Sequence, residues 1–442
     1  MKRILLIGSG AREHAIAKVL KKSRHDTALY VVGSSKNPGI VDLADDYIVG
    51  DLCNHDLVRE FALKVKPEFA ILGPEAPVAA GIADMLLEIE IHSASPLQTV
   101  GRLESSKSFT RDLLEKYSIV GNPLFGVFYD ENGLEEFFDE LGDDFVVKAD
   151  GLKGGKGVKV SGDHLSGRSE GLAYARECLE DCGRVVVEEK LIGQEFSLMS
   201  FCDGKHTVDM PCIQDHKRAY EGDKGPNTGG MGTYSDANHL LPFLKAEEVK
   251  KASEITRKVA EALFQETGVL FKGVMYGGFI VTAHGVRLIE YNARFGDPEA
   301  MNVLPLLKTD FVDICEAIIE GRLDELEIEF ENKATVCKYI VPEGYPDQPV
   351  KNERIEIGEP GGEVGDVEIF YASVDERDDG LYLCGSRAVA FVGIGSSIEE
   401  AEKAAQRAVE GVKGPVFYRR DIGSKALIDV RVKMMEELRK KA

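Results

Sequence analysis

The chain has 442 residues, 43% hydrophobic and 29% charged, enough for roughly two to four domains with ordinary cores. Its formal net charge of -22 and isoelectric point of about 5.0 exclude a duplex or membrane-surface partner, either of which needs a basic footprint. Against so negative a field, an anionic substrate must be captured by a local basic site.

Met1-Lys2-Arg3 runs straight into Ile4 to Ile7, too short for a signal-peptide core, and no apolar run reaches the length of a membrane span, so a cytoplasmic protein is expected. The eight cysteines form no Cys-x-x-Cys pair and read as small buried hydrophobes.

Ile4 to Ile7 reads as a parallel strand, Gly8-Ser9-Gly10 as a tight turn and Arg12 to Lys21 as a helix. The dinucleotide fingerprint fails because residue 13 is Glu, which leaves the phosphate of a smaller ligand as the expectation near Ser9 and Gly10. Strands at Leu29 to Val32 and Phe69 to Leu72 flank a helix at Asp56 to Val65, with Asn54 as its cap. Gly73 to Pro77 then follows the carboxyl end of a parallel strand, where open α/β sheets bind ligands. Glu75 is there either a partner for sugar hydroxyls or an amine, or part of a surface turn stiffened by two prolines.

A helix starting near Ser105 carries Lys107, Phe109, Leu113 and Leu114, and another is expected over Gly133 to Glu140. Phe145 to Val147 reads as a buried strand that Lys148 ends. Gly151, Gly154, Gly155 and Gly157 follow as a loop whose backbone can close on phosphate oxygens while Lys148, Lys153 or Lys156 supplies charge. Lys156 is followed by Gly157 and Val158, so this is not a Walker A loop; the competing reading is a glycine-rich hairpin with solvent-facing lysines. After a helix at Glu170 to Glu180, the Arg184 to Glu189 strand ends in two carboxylates. These suit either an adenine amino group and ribose hydroxyls or plain solvent.

Gln214 to Tyr234 is polar and glycine-rich without a regular pattern, the mark of a binding loop, and a long amphipathic helix follows over Ala246 to Thr267. Val274 to Val281 and Val286 to Tyr291 form a hairpin that delivers Glu290 and Asn292 on one face, with Arg294 just beyond. Such hard oxygen donors suit magnesium. From about Glu325 the chain is strand-rich: Ala334 to Val341, Arg354 to Ile357, Val367 to Ala372, Leu381 to Leu383 and Arg387 to Ile394. A helix over Ser397 to Val412 opens with Ser397 and Glu400 as a capping box, and Pro342 to Pro349 and Gly361 to Gly365 read as loops.

Taken together, Gly8 to His14, Gly73 to Pro77, Lys148 to Val158, Gln214 to Arg218, Gly225 to Gly232, Glu290 to Pro298 and Arg420 to Gly423 resemble, in order, the signatures of the phosphoribosylamine–glycine ligase (glycinamide ribonucleotide synthetase) family of the ATP-grasp superfamily. The runs Pro226 to Gly232 and Arg294 to Glu299 are the specific ones. The resemblance implies a multidomain α/β fold, with an ATP-grasp core, an N-terminal open parallel α/β (pre-ATP-grasp) domain and a small C-terminal strand-rich α/β domain. The expected ranges are 1–104 for the N-terminal domain, 105–324 for the ATP-grasp region with a mobile lid at about 123–191, and 325–442 for the C-terminal domain.

The resemblance further implies ATP-dependent ligation of glycine to 5-phosphoribosylamine through glycyl phosphate, giving glycinamide ribonucleotide, ADP and phosphate in purine synthesis. Lys107 and Lys148 would contact ATP phosphates under a flexible loop of Gly154, Gly155, Lys156 and Gly157. Glu188 and Leu191 would read adenine and Glu195 the ribose, while Glu290 and Asn292 would hold Mg2+ or Mn2+ and Arg294 would neutralise the transferring phosphoryl group. Asp215, Lys217, Asn227 and Asp297 are the implied substrate positions, glycine and 5-phosphoribosylamine the partners, and a monomer without nucleic acid or membrane the expected state. This chain departs from the family pattern at Ala11 in the first turn, at Tyr276 to Gly278 where relatives often carry another acidic metal ligand, and at Lys153 in the loop. The alternatives are another ATP-grasp carboxylate–amine ligase with a different acceptor, and a noncatalytic nucleotide-binding regulator.

Overall fold

The computed structural model describes residues 1–154, 157–358 and 367–440; the expectations for Gly155, Lys156 and Gly361 to Gly365 lie outside the described residues. The first sheet is wholly parallel, in the spatial order Asp46–Val49, Thr27–Gly33, Lys2–Ile7, Phe69–Leu72, His92–Ser93. Ile4, Leu5, Leu6 and Ile7 are all fully buried because helices cover both faces of the strand. Ile4 and Leu6 pack with Ala15 and Ile16 of the Ala11–Lys21 helix, whereas Leu5 and Ile7 pack with Val58 and Phe61 of the His55–Val65 helix. Asn54 caps the latter as expected, accepting from the amides of Asp56 and Leu57 at 3.0 and 3.1 Å. Strand order reverses beside Lys2–Ile7, which places the Gly8–Gly10 and Gly73–Pro74 turns at one crevice.

A four-stranded antiparallel sheet follows, ordered Phe125–Phe128, Val185–Glu189, Phe145–Ala149, Val158–Val160. The Leu134–Leu141 and Arg168–Cys182 helices close its one apolar face around Phe138, Phe145 and Leu172, so this unit has a core of its own. The next antiparallel sheet, ordered Thr207–Asp209, Gly193–Cys202, Gly273–Thr282, Gly285–Asn292, is backed by the 22-residue Ala246–Thr267 helix.

The expected patternless stretch from Gln214 to Tyr234 is instead built of short strands. Arg218–Tyr220 pairs with Lys224–Asn227 as a hairpin, and Gln214–Asp215 pairs with Gly232–Ser235. Strands of two to four residues made of polar groups and glycine carry no readable alternation, and their pairing is set from far away: Gly232–Ser235 lies against Ala334–Pro342. That sheet continues through Val389–Gly395 to Val367–Tyr371, crossing the expected boundary at residue 325. The strand next to Ala334–Pro342 begins at Val389 rather than Arg387. The Ile398–Glu410 helix covers it; Ser397 accepts from the Glu400 amide, but the Glu400 carboxylate caps Ser396 rather than Ser397, so the expected box is shifted by one residue. Among the described residues no helix is long and apolar enough to cross a membrane.

Candidate active site

The Lys107–Lys116 helix, the lid sheet and the Gly285–Asn292 strand meet at one buried cluster of charges. Asp150, at the end of the Phe145–Ala149 strand, accepts from the Lys107 amide at 2.5 Å and from the Ser108 hydroxyl at 2.5 Å, so the lid strand seats the start of this helix. Lys107 Nζ then reaches the Gly151 carbonyl at 2.9 Å, at the root of the glycine loop. Lys148 Nζ lies 2.7 Å from Glu188 Oε2, and Arg111 grips the same carboxylate through Nε at 2.6 Å and Nη2 at 3.0 Å. All three are nearly inaccessible, with the side chains of Lys148 and Glu188 only 6% and 4% exposed.

Burial would raise the Glu188 carboxyl, but Arg111 and Lys148 outweigh it and hold the group below its ordinary range. Lys148 is pushed below the usual lysine range, first by burial and then by the Arg111 charge, against the pull of Glu188. Both Glu188 oxygens are therefore engaged by cations, so its side chain is not the free carboxylate expected for an adenine.

The strand that carries Glu290 and Asn292 holds an irregularity invisible to the alternation rule. Gly278 pairs with Glu290 and Phe279 with Leu288, so Ile289 is an extra residue, a β-bulge. Without it Leu288, Glu290 and Asn292 would share one face; with it Leu288 stays in the core while Glu290 and Asn292 turn into the cleft. The bulge also frees backbone acceptors: the Ile289 carbonyl takes Lys148 Nζ at 3.0 Å and Arg111 Nη2 at 2.7 Å, and the Leu288 carbonyl takes Arg111 Nη1 at 3.1 Å.

Burial would raise Glu290, yet Lys217, Lys148, Lys107 and Arg294 together hold it ionised below its ordinary range. Lys217 Nζ lies 3.7 Å from Glu290 and 3.9 Å from Glu195, and these carboxylates more than offset its burial and raise it. Among the described residues of the glycine loop, Gly154 is exposed and Gly157 is buried, its carbonyl accepting from Ala149 at 2.8 Å; Leu191 is half-buried beyond the end of the Val185–Glu189 strand.

Further along, a second set of charges joins the N-terminal crevice to the core. Arg294 Nη2 lies 2.9 Å from Glu104 and its Nε 3.6 Å from Glu75, and its Nη2 also donates to Asn292 Oδ1 at 3.2 Å. Burial raises Glu104 despite Arg294, whereas at Glu75 the Arg294 and Arg12 charges overcome burial and lower it. The start of the Ala11–Lys21 helix is not open to a phosphate as expected. The Glu13 carboxylate takes the Gly10 amide at 2.6 Å and the Arg12 guanidinium at 2.6 Å, so the helix terminus is filled by the chain's own anion. A side chain at Gly73 would begin 2.1 Å from Glu13, which is why that crossing takes glycine.

Asp215 accepts from the His216 amide, and burial, reinforced by Glu299, raises its carboxyl well above the usual range. Asn227 pairs with Arg218 in the hairpin, and Thr228 donates through N and Oγ1 to the Lys217 carbonyl, at 2.7 and 2.9 Å. Asp297 accepts from Tyr339 at 2.7 Å and lies 3.2 Å from Arg387.

The sequence reading missed Arg111, Glu13, Glu104, Tyr339 and Arg387. Arg111 carried a local signal, one helical turn from Lys107 and so on the same face, and so did Glu13, three residues after the Gly10 cap.

A glycine loop on a small antiparallel lid, over a floor of buried lysines and a carboxylate-bearing strand, defines an ATP-grasp protein. Family models for phosphoribosylglycinamide synthetase match in sequence: the N domain over residues 2–104, the ATP-grasp (A) domain over 105–300 and the C domain over 335–425. The chain belongs to the phosphoribosylglycinamide synthetase family. It is 49% identical to the phosphoribosylamine–glycine ligase of Methanococcus maripaludis strain C5, over 99% of this chain and 100% of that one, and 48% identical to that of Methanosarcina barkeri, again over 99% and 100%. The crystal structure of the phosphoribosylamine–glycine ligase from Thermotoga maritima superposes with a TM-score of 0.78 at 29% identity, covering 95% of this chain and 100% of that one.

Proposed function

We propose that the chain joins glycine to 5-phosphoribosylamine at the expense of ATP, forming glycinamide ribonucleotide, ADP and phosphate. The observation that carries this reading is the continuity of the two clusters. Lys107, Lys148 and Glu290 sit under the glycine loop, and Asn292 and Arg294 lead from them to Glu75, Asp297 and the 226–232 segment. A nucleotide triphosphate laid on the lysines would have its γ-phosphate facing Arg294. Its adenine would fall to the backbone running from Glu189 to Leu191, since the Glu188 side chain is committed to cations, and its ribose to Glu195, which is exposed beside Lys217.

The donor set fits a divalent cation. Glu290 is ionised, Asn292 adds a neutral oxygen from the same face, and both are hard ligands of the kind Mg2+ or Mn2+ takes alongside nucleotide phosphates. When bound, the ion would neutralise charge on the phosphate oxygens. The chain's own residues align the reactants. Lys107 and Lys148 hold the phosphates, Arg294 meets the charge on the transferring group, and the glycine carboxylate is the nucleophile, so no protein nucleophile is needed.

The glycyl phosphate must then meet the amine before water does, and the lid with its glycine loop would keep water out. Asp215, Asn227 and Asp297 serve the acceptor end, and Lys217, beside Glu290 and Glu195, stands between it and the nucleotide. The test is product formation by purified protein, followed by mass, with ATP, Mg2+, glycine and freshly generated 5-phosphoribosylamine. Dependence on all three substrates supports the reading, and ADP release that requires a different amine replaces its acceptor half.

A further inference from the structure

The two runs that mark the acceptor end, residues 226–232 and 294–299, are held together from outside the ATP-grasp region. Arg387, two residues before the Val389–Gly395 strand, donates Nη1 to the carbonyls of Gly230 and Asp297, each at 3.1 Å, and to that of Gly229; its Nη2 lies 3.2 Å from Asp297 Oδ1. Its guanidinium is stacked over Tyr339, 4.5 Å from the ring centroid, and the Tyr339 hydroxyl donates to the same Oδ1 at 2.7 Å. A third C-terminal side chain, Tyr345, accepts from the Gly229 amide through its hydroxyl at 3.4 Å. The fit is close: a Cβ at Gly229 would stand 3.0 Å from Arg387 Cζ.

This arrangement commits Arg387 to protein acceptors and leaves Asp297 half engaged. Oδ1 takes both Tyr339 and Arg387, while Oδ2 receives no hydrogen bond among the described residues and faces the N-terminal turn, 3.8 Å from where a Cβ on Gly10 would lie. Asp297 is 15% exposed, at the mouth between the Gly8–Gly10 turn and the C-terminal sheet. A carboxylate oxygen fixed in this way accepts from the hydroxyls or amine of a sugar amine.

We propose that Arg387 is a positioning residue for the acceptor, clamping Asp297 and the 229–230 turn so that Asp297 Oδ2 is aimed at a hydroxylated amine, and that the C-terminal segment thereby sets acceptor affinity. The inference rests on the ligase reading above and deepens it. Arg387 does not touch the substrate; it acts through Asp297. Only an arginine has the planar fork that reaches carbonyls of two loops and a carboxylate at once while sitting over a tyrosine ring.

The test is steady-state kinetics of Arg387→Met, Arg387→Lys and Tyr339→Phe with each substrate varied in turn, beside equilibrium binding of a non-hydrolysable ATP analogue. Arg387→Met is expected to raise KM for 5-phosphoribosylamine by about tenfold or more, with the KM for glycine and the ATP-analogue Kd within about twofold of wild type. Arg387→Lys recovers part of the loss. Tyr339→Phe, which removes a single hydroxyl, shifts the same constant by a smaller factor and serves in place of Arg387→Met if that variant does not fold. Combining Arg387→Met with Asp297→Asn adds nothing to the larger single effect, because both act through one carboxylate.

An unchanged acceptor KM in a folded variant overturns the proposal, as does a parallel loss of ATP and glycine affinity, which marks a merely structural role. The ligase reading is judged on the wild type. If the wild type converts a different amine, that reading loses its acceptor and the Arg387 variants are scored on the amine it does convert; if no amine supports turnover, both fall.

Discussion

On the nucleotide side, Glu188 is shared by Lys148 and Arg111, and all three lie between residues 107 and 189, in a helix and a small sheet that has its own core. On the acceptor side, Arg294 is shared by Glu75 and Glu104 and Asp297 by Tyr339 and Arg387, so partners from the N-terminal and C-terminal segments must dock before both charges are satisfied. Both sides bury ions, which costs several kcal/mol per unpaired group. The nucleotide side meets that cost within one neighbourhood, whereas the acceptor side meets it only in the assembled molecule. Losses on the nucleotide side should therefore appear mainly in turnover, and losses on the acceptor side in turnover and stability together.

The sharpest test of the first half of that contrast is Glu290→Ala. The carboxylate's nearest cation is Lys217 at 3.7 Å, and that lysine is half-exposed and keeps Glu195, so the fold should survive. Turnover is expected to fall about a hundredfold or more, equivalent to about 3 kcal/mol of lost stabilisation for the transferring phosphoryl group. Near-normal product formation by a folded variant at limiting Mg2+ would remove Glu290 from the machinery.

Arg294→Met tests the other half. It strands Glu104, whose side chain is only 8% exposed, and should cost about 3–5 kcal/mol in urea denaturation as well as activity. Burial already raises the Glu104 carboxyl, and losing Arg294 raises it further. A carboxyl raised in the folded state costs stability above its unfolded pKa and none below it, so the variant's deficit should shrink as pH falls. Adding Glu104→Gln should restore the urea midpoint but not turnover. Recovery of both would make Arg294 a structural residue alone.

A smaller effect separates the docked interface from the lid by pH. His14 is buried where the N-terminal helix meets the C-terminal sheet, its Nδ1 accepting from the Tyr371 amide at 3.0 Å, and burial pushes it from 6.5 down to about 3. The folded state keeps it neutral while the unfolded chain protonates it. Its contribution is therefore complete above pH 6.5 and is lost as pH falls toward 3, at about 1.4 kcal/mol per unit. His14→Leu should flatten the fall in urea stability between about pH 6 and pH 4 by that slope. An unchanged slope would mean that His14 titrates normally in the folded protein.

How much of this was legible follows the same division. The Asn54-capped helix and the Ala246–Thr267 helix could be read because their signals lie within one or two turns of chain. Glu290 and Asn292 were legible as a pair, but the bulge at Ile289 that swings them into the cleft depends on the facing strand and leaves no local trace. Glu13 was read only as a break in a glycine pattern, although its carboxylate fills the helix start where a phosphate was expected. Arg387 read as the first residue of a strand, and nothing near it in sequence names the two loops it clamps. The short strand Gly232–Ser235 failed for the same reason, since its pairing comes from Ala334–Pro342.

Lys153 marks the low end of the scale and sharpens the meaning of charge in the lid. By composition it belongs with Lys148 and Lys156 as a candidate for phosphate, yet its Nζ pairs with Asp181 on the lid's outer helix, with both side chains in solvent. A solvated pair of this kind contributes little, and a lysine held by an outward carboxylate does not face the cleft. Lys153→Ala should leave the thermal midpoint unchanged and the KM for ATP within about twofold of wild type, whereas Lys148→Ala should abolish measurable turnover. A rise in ATP KM for Lys153→Ala as large as that for a cleft lysine would mean that the pair with Asp181 opens when nucleotide binds, turning an outward contact into a latch on the lid.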